Sequence, residues 1–258
     1  MSLPSWVPDW EAFQYQHILP LYREDSFHAS KGITPDVSFS GDLGTITVTG
    51  LKFDSIEILH PPDRHPFQVI HEFRFLKRAV LMVRSRHDRP AESHETLLEN
   101  VLRTLIANTS LLGEVPAPDD FLNRLKVACG RDKIPTSFAP EISRRVDRFL
   151  NYAYSAQRRL CHTMDHRRFF VTTRGHYGIG PRHIVEGDEV CILYGADMPF
   201  IMRHCNDYWR LLGECYIHGF MDGEAIDSDQ DDSYEFRSTR FTIRYRTAFG
   251  TLFTTGLA

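Results

Sequence analysis

The hydrophobic period of this chain changes near Arg168, and that change limits the folds open to it. In four segments between Phe67 and Met164, apolar residues recur every three or four positions, the spacing of helices that bury one stripe. After Arg168 the pattern becomes short β-prone runs: Phe169 to Thr173, Glu189 to Tyr194, Phe200 to Arg203, Trp209 to His218, Arg237 to Tyr245 and a short run from Leu252 to Thr255. Gly175, Gly178, Gly180, Gly187 and Gly195 read as punctuation between strands. Successive short strands of this kind predict a small antiparallel barrel or a strongly curved sheet. Upstream, Thr45 to Gly50 alternates apolar and β-branched polar residues, and a second strand is expected over Ser55 to Leu59, ended by Pro61-Pro62. Residues 1–41 hold no period and read as an extended arm. The expected fold is α+β. A helical segment (61–166) packs on a barrel-like segment (167–258), completed by the arm and strand pair of 1–60, all in a single compact unit over 1–258.

The helices carry start and stop chemistry. Phe67, Ile70, Phe73, Lys77, Val80 and Arg84 mark the first stripe, which loses apolar character toward its end. The second has Asp88 or Ser93 as cap, Glu92 and Glu95 at its positive end, and Leu97, Leu98, Val101, Leu102, Leu105 and Ile106 as its buried face. Pro118-Asp119-Asp120 opens the third and Gly130 closes it. The fourth runs from about Ala139 to Met164, with Ile142, Val146, Phe149, Ala153, Ala156, Leu160 and Met164 on one side.

Composition removes several function classes. A formal net charge of −4 lacks the basic excess of a bulk nucleic-acid binder, although 25 of the 30 basic residues are Arg. Those forks suit carboxylates and phosphates. The Arg144, Arg145, Arg148, Arg158, Arg159, Arg167 and Arg168 region reads first as a salt-bridged helix exterior, with an anionic ligand as the sharper alternative. Cys129, Cys161, Cys191, Cys205 and Cys215 are odd in number and hold no close pair, which fits free thiols in a reducing, cytoplasmic setting. Met1 to Trp10 has no apolar core of a signal peptide, and no apolar run reaches the ~18 residues of a membrane span.

No metal or cofactor motif emerges. Asp227, Asp229, Asp231 and Asp232 resemble a calcium loop superficially, but its sixth position is Asp232 where glycine is required, and its twelfth is Ser238 where Glu is required. His162 and His166 stand four apart without the Glu of a zinc protease. Neither a phosphate-binding glycine loop nor a serine nucleophile elbow is present.

Three ordered segments carry a family resemblance. They are Leu3-Pro4-Ser5-Trp6-Val7-Pro8-Asp9-Trp10, then Arg103-Thr104-Leu105-Ile106-Ala107-Asn108, and a C-terminal block. That block joins Arg168-Phe169-Phe170-Val171-Thr172, Gly178-Ile179-Gly180-Pro181, Gly187-Asp188, Pro199-Phe200-Ile201-Met202-Arg203 and Gly213 through Glu224. Together they resemble the C-terminal region of the fungal heterokaryon incompatibility family. In that family a TIR-like N-terminal domain carries the nucleotide-cleaving, cell-death activity. The sequence here begins at the link that follows it, so NAD cleavage is not an expectation for this chain.

Two functions are therefore weighed. In the first, an aromatic-walled cavity holds a lipophilic terpenoid or polyketide and catalyses a cofactor-independent cyclisation or isomerisation, a Diels–Alder-type pericyclase being one form. If Trp209 to His218 is one strand, Glu214, Tyr216 and His218 share a face. With Arg203 they are the candidate catalytic groups, and a hydrogen bond to a substrate carbonyl would be their task. Trp209, Tyr194, Trp6, Trp10 and Phe200 are the candidate walls. The structural alternative is that the polar groups hold loops and the aromatics fill core. In the second function, the chain is a non-enzymatic recognition or regulatory module whose exposed strands or Arg-rich helix bind a protein.

Overall fold

The computed structural model describes residues 27–41, 44–60, 73–84, 94–110, 112–129, 159–228 and 237–244. It is a mixed α+β arrangement with a nine-stranded sheet and few helices. One strand organises it. β2 (Thr45–Leu59) runs for 15 residues where two separate strands were expected. The sequence signal breaks because the register slips between Lys52 and Asp54 opposite the neighbouring strand. At that bulge Phe53 and Asp54 are both buried, so alternation fails locally while the strand continues.

Four strands pair with β2. β1 (Val37–Phe39) and β5 (Glu189–Leu193) follow each other along one edge. β9 (Arg237–Arg244) and β3 (Arg167–Thr172) share the other. β5 continues to β6 (Phe200–Cys205) and β6 to β7 (Tyr208–Glu214). A parallel pairing of Trp209 with Ile243 then joins β7 to β9, so β2, β5, β6, β7 and β9 form a ring. From the far end of β2, a second sheet extends through β3 and β4 (Tyr177–Pro181) to β8 (Tyr216–Ile217).

Side-chain alternation sorts the apolar residues into three layers. Ile46 and Val48, Cys191 and Leu193, Met202, Trp209 and Leu211, and Phe241 and Ile243 come from all five ring strands and fill the inward face. Leu51, Phe53, Val190, Ile192, Ile201 and Leu212 point out of the ring and meet Phe170 and Ile217 of the second sheet. The other face of that sheet, with Phe169, Val171, Tyr177, Ile179 and Tyr216, packs under the helices.

Those helices are α1 (Phe73–Arg84), α2 (His94–Leu105), α3 (Asp119–Cys129) and α4 (159–164). Leu97, Val101, Leu102, Leu105 and Ile106 are buried as the spacing predicts, and so are Leu160 and Met164. Phe67 to Ile70, most of the fourth predicted helix, the acidic stretch beyond Ser228 and the run Leu252 to Thr255 lie outside the described residues.

Three further expectations change. Residues 37–39 of the supposed arm form a strand, whose three residues are too few to register as a period. Trp209 to His218 is two strands in two sheets, because the chain leaves the ring after Glu214, just past Gly213 (φ 142°), and Cys215 N–H donates to the Pro199 carbonyl. Gly178 and Gly180 lie inside β4 and do not mark turns. At Gly178 the lack of a side chain is a packing requirement, because a Cβ would stand 2.2 Å from the Tyr216 carbonyl oxygen, whereas a Cβ at Gly180 would meet the movable Cδ1 end of Ile201. Gly178→Ala should lower the unfolding free energy by about 2–3 kcal/mol. Gly41→Ala, into open space, should leave the urea midpoint unchanged. Equal midpoints for the two variants would refute the packing account.

Candidate functional site

The polar groups singled out in the sequence divide among separate places, and one pair comes together. Tyr216 lies on β8, facing the helices, with its ring 5.9 Å from that of Phe27. Its hydroxyl is 3.3 Å from His218 Nδ1. The imidazole in turn stacks on Tyr177 at 5.6 Å and 10°, and the His218 main-chain N–H donates to the Tyr177 carbonyl. Burial pushes the Tyr216 phenol well above its usual range; Arg103 opposes the shift, while Asp222, Tyr177 and Glu224 add to it. The phenol therefore stays protonated and can donate to Nδ1, and a neutral imidazole then carries its own proton on Nε2. Chemically this is a half-buried donor backed by two aromatic rings.

Arg203 does different work. Its Nε and Nη2 grip both oxygens of Asp188 at 2.7 and 2.8 Å, and Nη2 also donates to the His183 carbonyl. Asp188 is 1% exposed and accepts a further bond from Val185 N–H. Beside it Arg168 donates to the carbonyls of His60 and Ile184. Two arginines thus clamp the loop between β4 and β5, and Arg203 is a frame residue in this geometry.

Glu214 ends β7 opposite Phe200, on the ring, and its carbonyl accepts a bond from Arg167. It does not share a strand with Tyr216 and His218, because the chain changes sheet between them. Trp209 packs edge-on against Phe241 at 5.2 Å within the ring's inward face. Tyr194 follows β5 and packs against the layer between ring and second sheet. The half-buried Phe200 lies on β6. Trp6 and Trp10 lie outside the described residues. His162 is in α4, but His166 follows it with φ 55°, so the two do not occupy one helical face. Among the described residues no group of three metal-ligating side chains converges.

Other polar centres escaped the sequence reading. Asp54, buried at the β2 bulge, accepts from Thr173 Oγ1 at 2.5 Å and from Ser55 and Arg174 N–H, tying β2 to the turn after β3. No spacing signal marks it, since it falls where alternation fails. Arg103 binds Glu99, Asn108, the Ala117 carbonyl and Asp119, and so joins α2 to the start of α3. The Glu99–Arg103 spacing of four residues was legible. The Arg103 hydrogen bond holds the Glu99 carboxyl below its usual range.

Three buried acids predict an alkaline limit. Burial raises the thiols of Cys191 and Cys215 and the phenol of Tyr216. Above the unfolded-state values, ~8.5 for a thiol and ~10 for a phenol, the unfolded chain releases protons that the folded chain keeps. Stability is then lost as pH rises, at up to about 1.4 kcal/mol per pH unit per group. Urea midpoints should fall steadily between pH 8 and pH 10.5, and a flat profile would contradict the burial of these groups.

Residues 101–236, just over half of the chain, match the Het-6 β-barrel domain family. The matched stretch takes in β3 to β8, while β1, β2 and β9 lie outside it. One relative is the Neurospora crassa protein "Heterokaryon incompatibility protein 6, OR allele", 34% identical over 76 residues, which is 28% of this chain and 11% of that protein. The chain therefore corresponds to about a tenth of that relative's length. No solved structure matches. No helix among the described residues is long and apolar enough to cross a membrane.

Proposed function

Because this chain belongs to the Het-6 β-barrel domain family, we propose that it is a recognition and regulatory module of fungal self/non-self discrimination, with a protein as its partner. The five-strand ring, three of whose strands (β5, β6 and β7) lie in the matched stretch, is read as the barrel for which the family is named. The observation that carries the proposal is the exposure of Val37 and Phe39, 41% and 53%, on the short strand β1, which among the described residues pairs with β2 alone. The ring's inward face is filled by its own side chains, and Arg203 is engaged in holding a loop. An outer edge is thus better equipped for contact than the interior. The relative's name, an incompatibility protein, points the same way. Free thiols at Cys161, Cys191, Cys205 and Cys215 support a cytoplasmic setting.

The test is heterokaryon viability. Co-expression of the chain with opposing incompatibility alleles in a fungal host should change viability in at least one pairing. Val37→Asp with Phe39→Asp should abolish the change while leaving the protein folded. Viability unaltered in every pairing would reject the reading.

A second reading, cofactor-independent cyclisation of a lipophilic terpenoid or polyketide in secondary metabolism, draws its support from the Tyr216–His218 pair alone. Incubation with linear polyene-carbonyl precursors tests it. A rate or stereochemical outcome unlike the spontaneous reaction, lost in His218→Ala, would favour it over recognition.

A further inference from the structure

Of the 14 prolines in the sequence, Pro35 alone follows a serine or threonine. The dipeptide Thr34-Pro35 stands in an accessible place. Every residue from Thr34 to Phe39 is exposed, the longest unbroken exposed run among the described residues. Residues 33–36 form no helix or turn, and β1 follows at once. Alternate residues of an extended chain share a side, which groups Pro35 with Val37 and Phe39, and Thr34 with Asp36 and Ser38.

The contacts on the two sides agree with that grouping. Pro35 packs on the turn after β5, where a Cβ at Gly195 would stand 2.6 Å from Pro35 Cβ. Asp36 lies on the polar side. Its Oδ2 accepts from Thr49 Oγ1 at 2.7 Å and faces Arg240 Nη2 at 3.6 Å, while its carbonyl accepts from Thr49 N–H. The chain just after Thr34 is therefore held in place, with the threonine itself at the surface. The Arg240 side chain is 75% exposed and reaches Asp36 by one long contact, so turning it to a stronger anion costs little.

We propose that Thr34 is a phosphorylation site for a proline-directed protein kinase, and that the phosphate closes β1 to its partner. Thr34 Oγ1 attacks the γ-phosphorus of ATP, the bond to the β-phosphate oxygen breaks with ADP as leaving group, and the hydroxyl proton passes to the kinase's base. The new group carries a charge of about −1.5 to −2 and three acceptor oxygens. Arg240 supplies the complementary cation, and Asp36 is left beside a second anion. A partner covering Val37 and Phe39 lies along the same exposed run, so it must strip water from that charge. The site stands without the recognition reading, whereas the closing role rests on it.

The two halves are tested separately. The full chain is incubated with a purified proline-directed kinase and Mg·ATP, and the phosphate is located by mass spectrometry. Label should reach Thr34 and be lost in Thr34→Ala and in Pro35→Ala. Arg240→Gln should raise the second pKa of the phosphate, followed by phosphorus NMR, because the arginine favours the dianion. An unmoved pKa would remove Arg240 from the account. No label at Thr34 on the folded chain, or label that persists in Pro35→Ala, would overturn the site. For the closing role, Thr34→Glu should abolish the viability change in any allele pairing that responds to the wild-type chain, and Thr34→Ala should retain it. Thr34→Glu acting like wild type would overturn the closing role and leave the recognition reading standing. If no pairing responds, the reading and the closing role fall together, and the labelling result still decides the site.

Discussion

Residues 101–236 expressed alone, the stretch that matches the family, should show no cooperative unfolding, whereas 27–244 should unfold with a clear midpoint. The matched stretch holds β5, β6 and β7 of the ring but neither β2 nor β9. Removing β2 leaves β3 and β5 without a shared neighbour and takes Val48, Leu51, Phe53 and Ile56 out of the core. At ~1.5–3 kcal/mol for each fully buried side chain, those four contribute about 6–12 kcal/mol. That equals the whole net stability of an ordinary domain, about 5–15 kcal/mol. Circular dichroism and amide dispersion in two-dimensional NMR would read the difference. A sharp transition for 101–236 would show that β2 is dispensable.

Arg203→Ala should be among the most damaging single side-chain changes on the ring, at about 3 kcal/mol. The loss comes from what is left behind: the Asp188 carboxylate, 1% exposed, keeps the Val185 N–H and loses its cationic partner. This origin makes a further statement possible. Asp188→Asn combined with Arg203→Gln removes the orphaned charge and keeps an acceptor for Val185, so the double variant should be more stable than Arg203→Ala. Denaturation midpoints of the three proteins settle it, and a double variant worse than the single would mean that the arginine's packing is the larger effect. Any loss of function in Arg203→Ala should accordingly be read against its folded fraction.

Some of this architecture was legible from the residues and some was not, for identifiable reasons. The α2 stripe from Leu97 to Ile106 was readable because one helix face packs on one sheet face, which forces the 3.6-residue period. Met221 to Glu224 reads as a turn leading into a helical turn, and Glu224–Ser228 is that helix. Legibility failed where one strand serves two sheets. β2 buries consecutive residues at its bulge, so the two-residue period is interrupted there. The glycines of β4 carried the opposite meaning from the one their chemistry suggests in isolation, and at Gly178 what excludes a side chain is the backbone of the neighbouring strand β8. The site was less legible still. Tyr216 and His218 were found by sequence proximity, but the change of sheet after Glu214 removed their supposed third member. Asp188 and Asp54 are recognisable only once the loops they hold are seen.

The pairing of β2 with β9 also sets a timetable for synthesis. Thr45 finds its partner in Arg244, which emerges from the ribosome about 200 residues later, or ~10–40 s at ~5–20 residues per second. Until then one edge of β2 has no β9 to meet, while the helices, whose contacts are local, can already form. Nascent chains of this protein should therefore depend on holding chaperones late in translation, and slowing elongation ahead of residue 237 should raise aggregation more than slowing it elsewhere.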